Sequence, residues 1–139
     1  MFRKSKTMKR RTLTIVATAL LVSSTLALAA ATAPLSTPEL KATIASNGKP
    51  TLVFFLNPQG APCQAQKVVL DKLIEQQKGK FNLANVSVAI QGDRQAFYDY
   101  GVRSLPSLVL VDKAGNINKV FAPGIQDIQT ITIALNKLK

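Results

Sequence analysis

Short apolar runs alternate with amphipathic stretches along residues 38–139, and this pattern predicts strands and helices in turn. Thr51–Leu56 reads Thr-Leu-Val-Phe-Phe-Leu, a continuous apolar run that is typical of a strand buried on both faces. A helix is predicted next at 62–78, with its apolar residues on one stripe. The other predicted elements are helices at 38–45 and 95–100, strands at 86–90, 107–111 and 117–121, and a last helix after Gly124.

The predicted order is therefore α, β, α, β, α, β, β, α. Strands that alternate with helices indicate an α/β domain with a central mixed β-sheet flanked by helices. The turn Lys113–Asn116 joins the last two strands as a hairpin, which adds an antiparallel edge.

The first 33 residues have a different composition. Met1–Arg11 carries six basic residues, and Thr12–Ala33 follows with 22 residues that include no charge and end in small residues at Ala-x-Ala spacing. This pattern predicts an export signal cleaved after Ala29, Ala31 or Ala33. The alternative is an uncleaved membrane anchor, since about 20 apolar residues span a bilayer.

The predicted organisation is thus a signal peptide or N-terminal anchor at 1–33, a linker at 34–37 and a domain at 38–139. Either reading of the leader places the domain outside the cytoplasm, in the periplasm or an equivalent compartment. The domain would be soluble after cleavage, and it would be tethered to the membrane only if the leader stays.

Charge and composition exclude several classes of function. Without the leader, the formal charge of +11 falls to +5, because six of 18 basic and none of seven acidic residues are removed. The remaining lysines are scattered, so nucleic-acid binding is not predicted. A single cysteine, Cys63, and no histidine make a metal site unfavourable, and no cofactor is predicted.

Two motifs carry a family resemblance. Asn57-Pro-Gln-Gly60 ends the buried strand and Pro62-Cys63 opens the next helix, and about 40 residues later the chain reads Tyr-Gly-Val-Arg-Ser-Leu-Pro-Ser-Leu-Val-Leu at 100–110. This combination resembles the thioredoxin family over residues 38–139, with the usual first strand absent or reduced to the segment before Pro38. The resemblance implies a thioredoxin fold in which Pro106 is cis and faces Cys63.

The resemblance also implies which residues form the site. The active-site turn would comprise Pro58, Gln59, Gly60, Ala61 and Pro62, with Cys63 as the candidate catalytic residue. Substrate-binding residues would be Arg103, Leu105, Pro106 and Ser107. The backbone of Leu105 would pair with an extended peptide, a mode of recognition that needs no redox chemistry.

Three positions depart from the family pattern. Gly60 replaces the first cysteine, Gln59 stands where a tryptophan is usual, and Phe54 replaces a buried acidic residue. Dithiol exchange needs a second thiol to resolve the mixed disulfide, so this chain can at most form the mixed disulfide.

Two opposite environments are predicted for Cys63. The first turn of a helix favours a thiolate, and Gly60 would leave the sulfur accessible. Alternatively, Cys63 is a buried apolar residue above Phe54.

These features leave three hypotheses for function. The first is thiol homeostasis outside the cytoplasm, in which Cys63 forms a mixed disulfide with a partner and an outside thiol resolves it. The second is a non-catalytic module, peptide-binding or chaperone-like, whose groove holds an extended peptide or protein segment. The third is a one-cysteine peroxidase in which Arg103 and Ser107 polarise the peroxide.

Overall fold

The computed structural model describes residues 31–138. The basic segment 1–11 and most of the apolar run 12–33, on which the predicted leader rests, lie outside the described residues. Within 31–138, no helix has the length and apolar character needed to span a membrane.

Helices and strands follow one another in the predicted order, which confirms the α/β architecture. Their bounds are α1 Pro38–Thr43, β1 Thr51–Leu56, α2 Ala61–Gln76, β2 Asn82–Ser87, α3 Arg94–Asp99, β3 Ser107–Val111, β4 Ile117–Val120 and α4 Ile128–Asn136. A 3-10 turn at Gln91–Asp93 precedes α3.

The strands form one mixed sheet in the order β2-β1-β3-β4. β1 pairs with β2 in parallel and with β3 antiparallel, and β3 pairs antiparallel with β4. Alternate residues of β1 enter two separate cores, because successive side chains of a strand point to opposite faces. Phe54 packs in the core that contains α2 and α4, and Phe55 packs in the core that contains α1 and α3.

β2 lies at an edge of the sheet and begins four residues earlier than predicted. The prediction of a strand at 86–90 followed its apolar residues, whereas the observed strand includes Asn82 and Asn85. Polar residues are tolerated there because nothing pairs with the outer side of β2 within residues 31–138. The Glu39 carboxylate accepts the Asn85 N–H at 3.0 Å, and the Asp93 carboxylate accepts the Ser87 N–H at 2.9 Å.

The segment before α1 is held against the domain. Thr32 forms an isolated bridge with Asn116, and Ala33, only 2% exposed, lies in the core beside α1. The Tyr100 hydroxyl donates to the Pro34 carbonyl at 2.8 Å. Thr37, at the end of the predicted linker, caps α1 by accepting the Leu40 N–H. Residues 31–37 thus contact the domain, and within the described chain they form a single bridge to the turn between β3 and β4 and no strand.

Candidate functional site

The turn between β1 and α2 is built by Asn57. Its carbonyl accepts the Gly60 N–H at 2.9 Å, and its side-chain oxygen accepts the Gln59 N–H at 3.0 Å. Gly60 is the N-cap of α2, and Pro62 lies at the helix start, where a missing N–H costs nothing because the first N–H groups of a helix have no helical partner. Pro58 and Gln59 are exposed at the tip of the turn.

Cys63 lies one residue after Pro62, and its thiol is buried. The residue is 3% exposed, packs in the same core as Phe54, and accepts the Asn57 N–H on Sγ at 3.3 Å. Its side chain faces inward because 63, 66, 70 and 73 recur at helical spacing and form the buried face of α2. Gly60 has no side chain to cover the Cys63 sulfur, but Cys63 is nevertheless buried.

The segment that precedes β3 forms the second wall of the site. The Leu105–Pro106 peptide bond is cis, and the half-buried Leu105 packs against the core that contains Cys63. The Ser107 hydroxyl donates to the Ser104 carbonyl at 2.6 Å, and the Gly124 N–H donates to the Pro106 carbonyl at 3.1 Å. The carbonyls of Ser104 and Pro106 are thus hydrogen-bonded. The N–H and C=O of Leu105, which lies between them in sequence, form no hydrogen bond within residues 31–138.

Gln66 is a structural residue of the site that the sequence pattern did not identify. Its side chain is fully buried in α2, where its Nε2 donates to the Gln126 carbonyl at 3.1 Å and its Oε1 accepts the Gln126 N–H at 2.6 Å. These bonds connect α2 to the loop after β4, and in that loop the Gly124 N–H donates to the Pro106 carbonyl. A polar residue three positions after Cys63, on the otherwise apolar face, is the signal in the sequence.

Arg103 does not join the other candidate residues. It is exposed and lines a pocket with Arg94 and Tyr98, and that pocket includes no residue of the turn 58–63. Ser107 is nearly buried, with its hydroxyl committed to Ser104. Neither side chain is therefore arranged to polarise a peroxide at Cys63. Among residues 31–138, no group of three or more histidine, cysteine, aspartate or glutamate side chains could hold a metal ion.

Comparisons with known proteins identify the family and the fold. The family model described as Thioredoxin matches residues 31–134. Thioredoxin 1 of Nostoc sp. is 27% identical over 90 residues, which are 65% of this chain and 82% of that protein.

Solved structures show the same fold. A thioredoxin-like protein from Clostridium perfringens superposes with a TM-score of 0.60 at 26% identity, covering 66% of this chain and 71% of that one. Fasciola hepatica thioredoxin superposes with a TM-score of 0.56 at 20% identity, covering 66% and 83%. The chain therefore has a thioredoxin fold and belongs to the thioredoxin family, as a member with a single cysteine.

Proposed function

We propose that this thioredoxin-family domain binds an extended peptide along Leu105 without completing dithiol exchange. The observation that carries the proposal is the backbone of Leu105, whose N–H and C=O are unpaired among the described residues while the carbonyls on both sides are bonded. An extended peptide that supplies one acceptor and one donor would satisfy both groups, as an added strand does at a sheet edge.

The burial of Cys63 and the lack of a second thiol favour peptide binding over redox catalysis. Exchange of a disulfide requires a thiolate to reach a sulfur of the partner and a second thiol to release it. Here the only thiol of the chain is 3% exposed and packs in the apolar core. Cys63 is accordingly a packing residue in this proposal.

Binding is tested with cysteine-free peptides of extended sequence, mapped by the amide NMR signals of the protein. We expect the Leu105 amide to shift on binding, and we expect a peptide that is N-methylated at the pairing amide to bind about tenfold more weakly, because one hydrogen bond is lost. Cys63→Ser should bind the unmethylated peptide as the parent does. Equal affinity for both peptides would contradict pairing at Leu105.

A monothiol function in thiol homeostasis is the second candidate, favoured by the Asn57 N–H that points to Sγ at 3.3 Å in the first turn of α2. In that reaction the Cys63 thiolate attacks one sulfur of a disulfide, a new S–S bond forms, and the other sulfur leaves as a thiolate. An outside thiol then repeats the attack on the mixed disulfide and regenerates Cys63.

Incubation with oxidised glutathione distinguishes the two candidates. A monothiol protein gains one glutathione by mass in the native state, and Cys63→Ser gains none. Modification that occurs only in denaturant would exclude the monothiol function. One-cysteine peroxidase chemistry is a weaker candidate, and sulfenic acid formed at native Cys63 by peroxide would support it.

We also propose that the domain acts outside the cytoplasm, in the periplasm or an equivalent compartment. The basic segment 1–11 and the uncharged run 12–33 support this proposal. Cell fractionation of the full chain tests this location. The control is a variant in which Arg10, Arg11 and the preceding basic residues are replaced by neutral ones. A processed protein in the soluble exported fraction indicates cleavage, and a full-length protein in the membrane fraction indicates an anchor.

A further inference from the structure

Arg94 and Arg103 line a pocket that the proposed function does not use. The pocket has a volume of about 620 Å³ and lies between α3, the loop after β2 and the segment before Leu105. Its other lining residues are mainly apolar or aromatic: Val88, Phe97, Tyr98, Gly101 and Val102. A mostly apolar pocket with a few polar groups is the usual composition of a binding site.

The two guanidinium groups have no carboxylate partner in this pocket. No acidic residue lines it, and within residues 31–138 the only ion pair is Lys67–Asp71 on α2. Asp93 adjoins Arg94 in sequence, but its side chain is nearly buried and accepts the Ser87 N–H. The pocket is therefore positively charged, and the arginine side chain matches the geometry of a carboxylate.

Exposed apolar residues surround the charged pocket. Val88 and Ile90 in the loop after β2 are 40% and 55% exposed, and Tyr98 on α3 is 81% exposed. Apolar side chains clustered at the surface beside a pocket are typical of a site that contacts another molecule. The occupant that complements this surface has a carboxylate next to an apolar group.

The pocket lies at the same end of the sheet as Leu105. The parallel strands β1 and β2 both end there, and the antiparallel β3 begins there, with Phe55 opposite Ser107. Arg103 is two residues from Leu105, and an extended peptide advances about 3.3 Å per residue. A peptide that pairs with Leu105 therefore reaches the pocket within two or three residues.

We propose that the pocket lined by Arg94 and Arg103 binds an aspartate or glutamate side chain of the peptide that pairs with Leu105, with the apolar residue next to it packed on Val88 and Tyr98. This inference rests on the proposed function, which supplies the path of the peptide. It adds a sequence preference, for an acidic residue beside an apolar one, that backbone pairing alone does not provide.

The test uses two capped, fluorescent peptides of serine and valine that differ at one position, with a central Glu-Leu pair in one and Gln-Leu in the other. The full chain is titrated with each peptide at low and at physiological salt. We expect the Glu peptide to bind about tenfold more tightly at low salt, with the preference reduced as salt screens the charges. Arg94→Gln and Arg103→Gln should each remove most of that preference, because each takes away one of the two guanidinium groups that line the pocket.

Lys113→Gln is the matched control, because it removes the same charge at the β3–β4 turn, outside the pocket. Equal affinity for the two peptides, together with a shifted Leu105 amide, would overturn this inference and leave the proposed function in place. A preference for Glu that Lys113→Gln reduces as much as Arg103→Gln does would also overturn it, since only net charge would matter. Failure of both peptides to bind or to shift the Leu105 amide would overturn both proposals.

Discussion

At the scale of single residues, the backbone conformation of Gly60 is one that a residue with a side chain can adopt. Its φ of −81° and ψ of 126° are open to any L-residue. A Cβ added there would lie 3.7 Å from the Cys63 Sγ and 3.3 Å from the Asn57 carbonyl oxygen. The second of these separations is tight, so the turn would have to move by a few tenths of an ångström.

We expect Gly60→Cys to form an intramolecular disulfide with Cys63 on mild oxidation, because the added Cβ lies close to the existing sulfur. The measurement is thiol titration in denaturant, which should find no thiol in the oxidised variant and two after reduction. Gly60→Ser is the control for the steric effect of a side chain. Two thiols that persist after oxidation would show that the turn does not bring these positions together.

One side chain, Tyr100, makes the stability of the folded chain depend on pH. Burial, helped by the charge of the neighbouring Asp99, raises the pKa of Tyr100 to about 12 from 10.0, and the hydroxyl donates to Pro34. The folded chain thus keeps this proton at a pH at which the unfolded chain has lost it. The resulting stability is fully present below pH 10 and is lost as the pH rises through about 12.

We expect the urea midpoint of the protein to fall between pH 10 and pH 12, and Tyr100→Phe to make this fall shallower. The comparison is made against Tyr98→Phe, which removes a hydroxyl from an exposed ring on α3, two residues before Tyr100. Identical slopes for the two variants would contradict the assignment to Tyr100.

At the scale of elements, the contact between α2 and the loop after β4 depends on one buried amide. Gln66→Leu would leave the N–H and C=O of the half-buried Gln126 without their partners, and the loss of two hydrogen bonds costs about 1–3 kcal/mol. We expect this loss in the free energy of unfolding from urea denaturation, together with weaker peptide binding, since the same loop bonds Pro106. Gln76→Leu, an exposed change in the same helix, should cost little. An equal loss in both variants would assign the effect to helix α2 in general.

The elements differ in how closely the sequence predicted them. β1 and β3 have the predicted ends because strands buried on both faces are continuous apolar runs. β2 begins earlier than predicted because an edge strand tolerates asparagine. The bond between the Asn85 N–H and Glu39, which supports this part of β2, joins residues 46 positions apart. The site is likewise only partly predictable from the sequence. Local motifs predict the turn 58–62 and Leu105. The contact of Gln66 with residue 126 and the pocket at Arg103 depend on tertiary packing, which local motifs do not encode.

At the scale of the whole molecule, residues 31–37 belong to the structural unit. Ala33 N–H donates to Gly115, Ile117 N–H donates to Ala31, and Tyr100 donates to Pro34. We expect a chain that begins at residue 35 to be about 2–4 kcal/mol less stable than one that begins at residue 31, since three hydrogen bonds and a buried alanine are lost. Urea denaturation of the two chains measures the difference. Equal midpoints would show that the segment is a passive linker.

The carboxylates of Glu39 and Asp93 have a further consequence for the behaviour of this protein in concentrated solution. An uncovered edge strand is a template on which other molecules stack, and the growth of fibrils begins at such edges. By occupying the N–H groups of Asn85 and Ser87, the two side chains remove donors that an incoming strand would need. The polar edge of the sheet is thereby protected against self-association, and the substitution of Glu39 by alanine should shorten the lag before fibrils form.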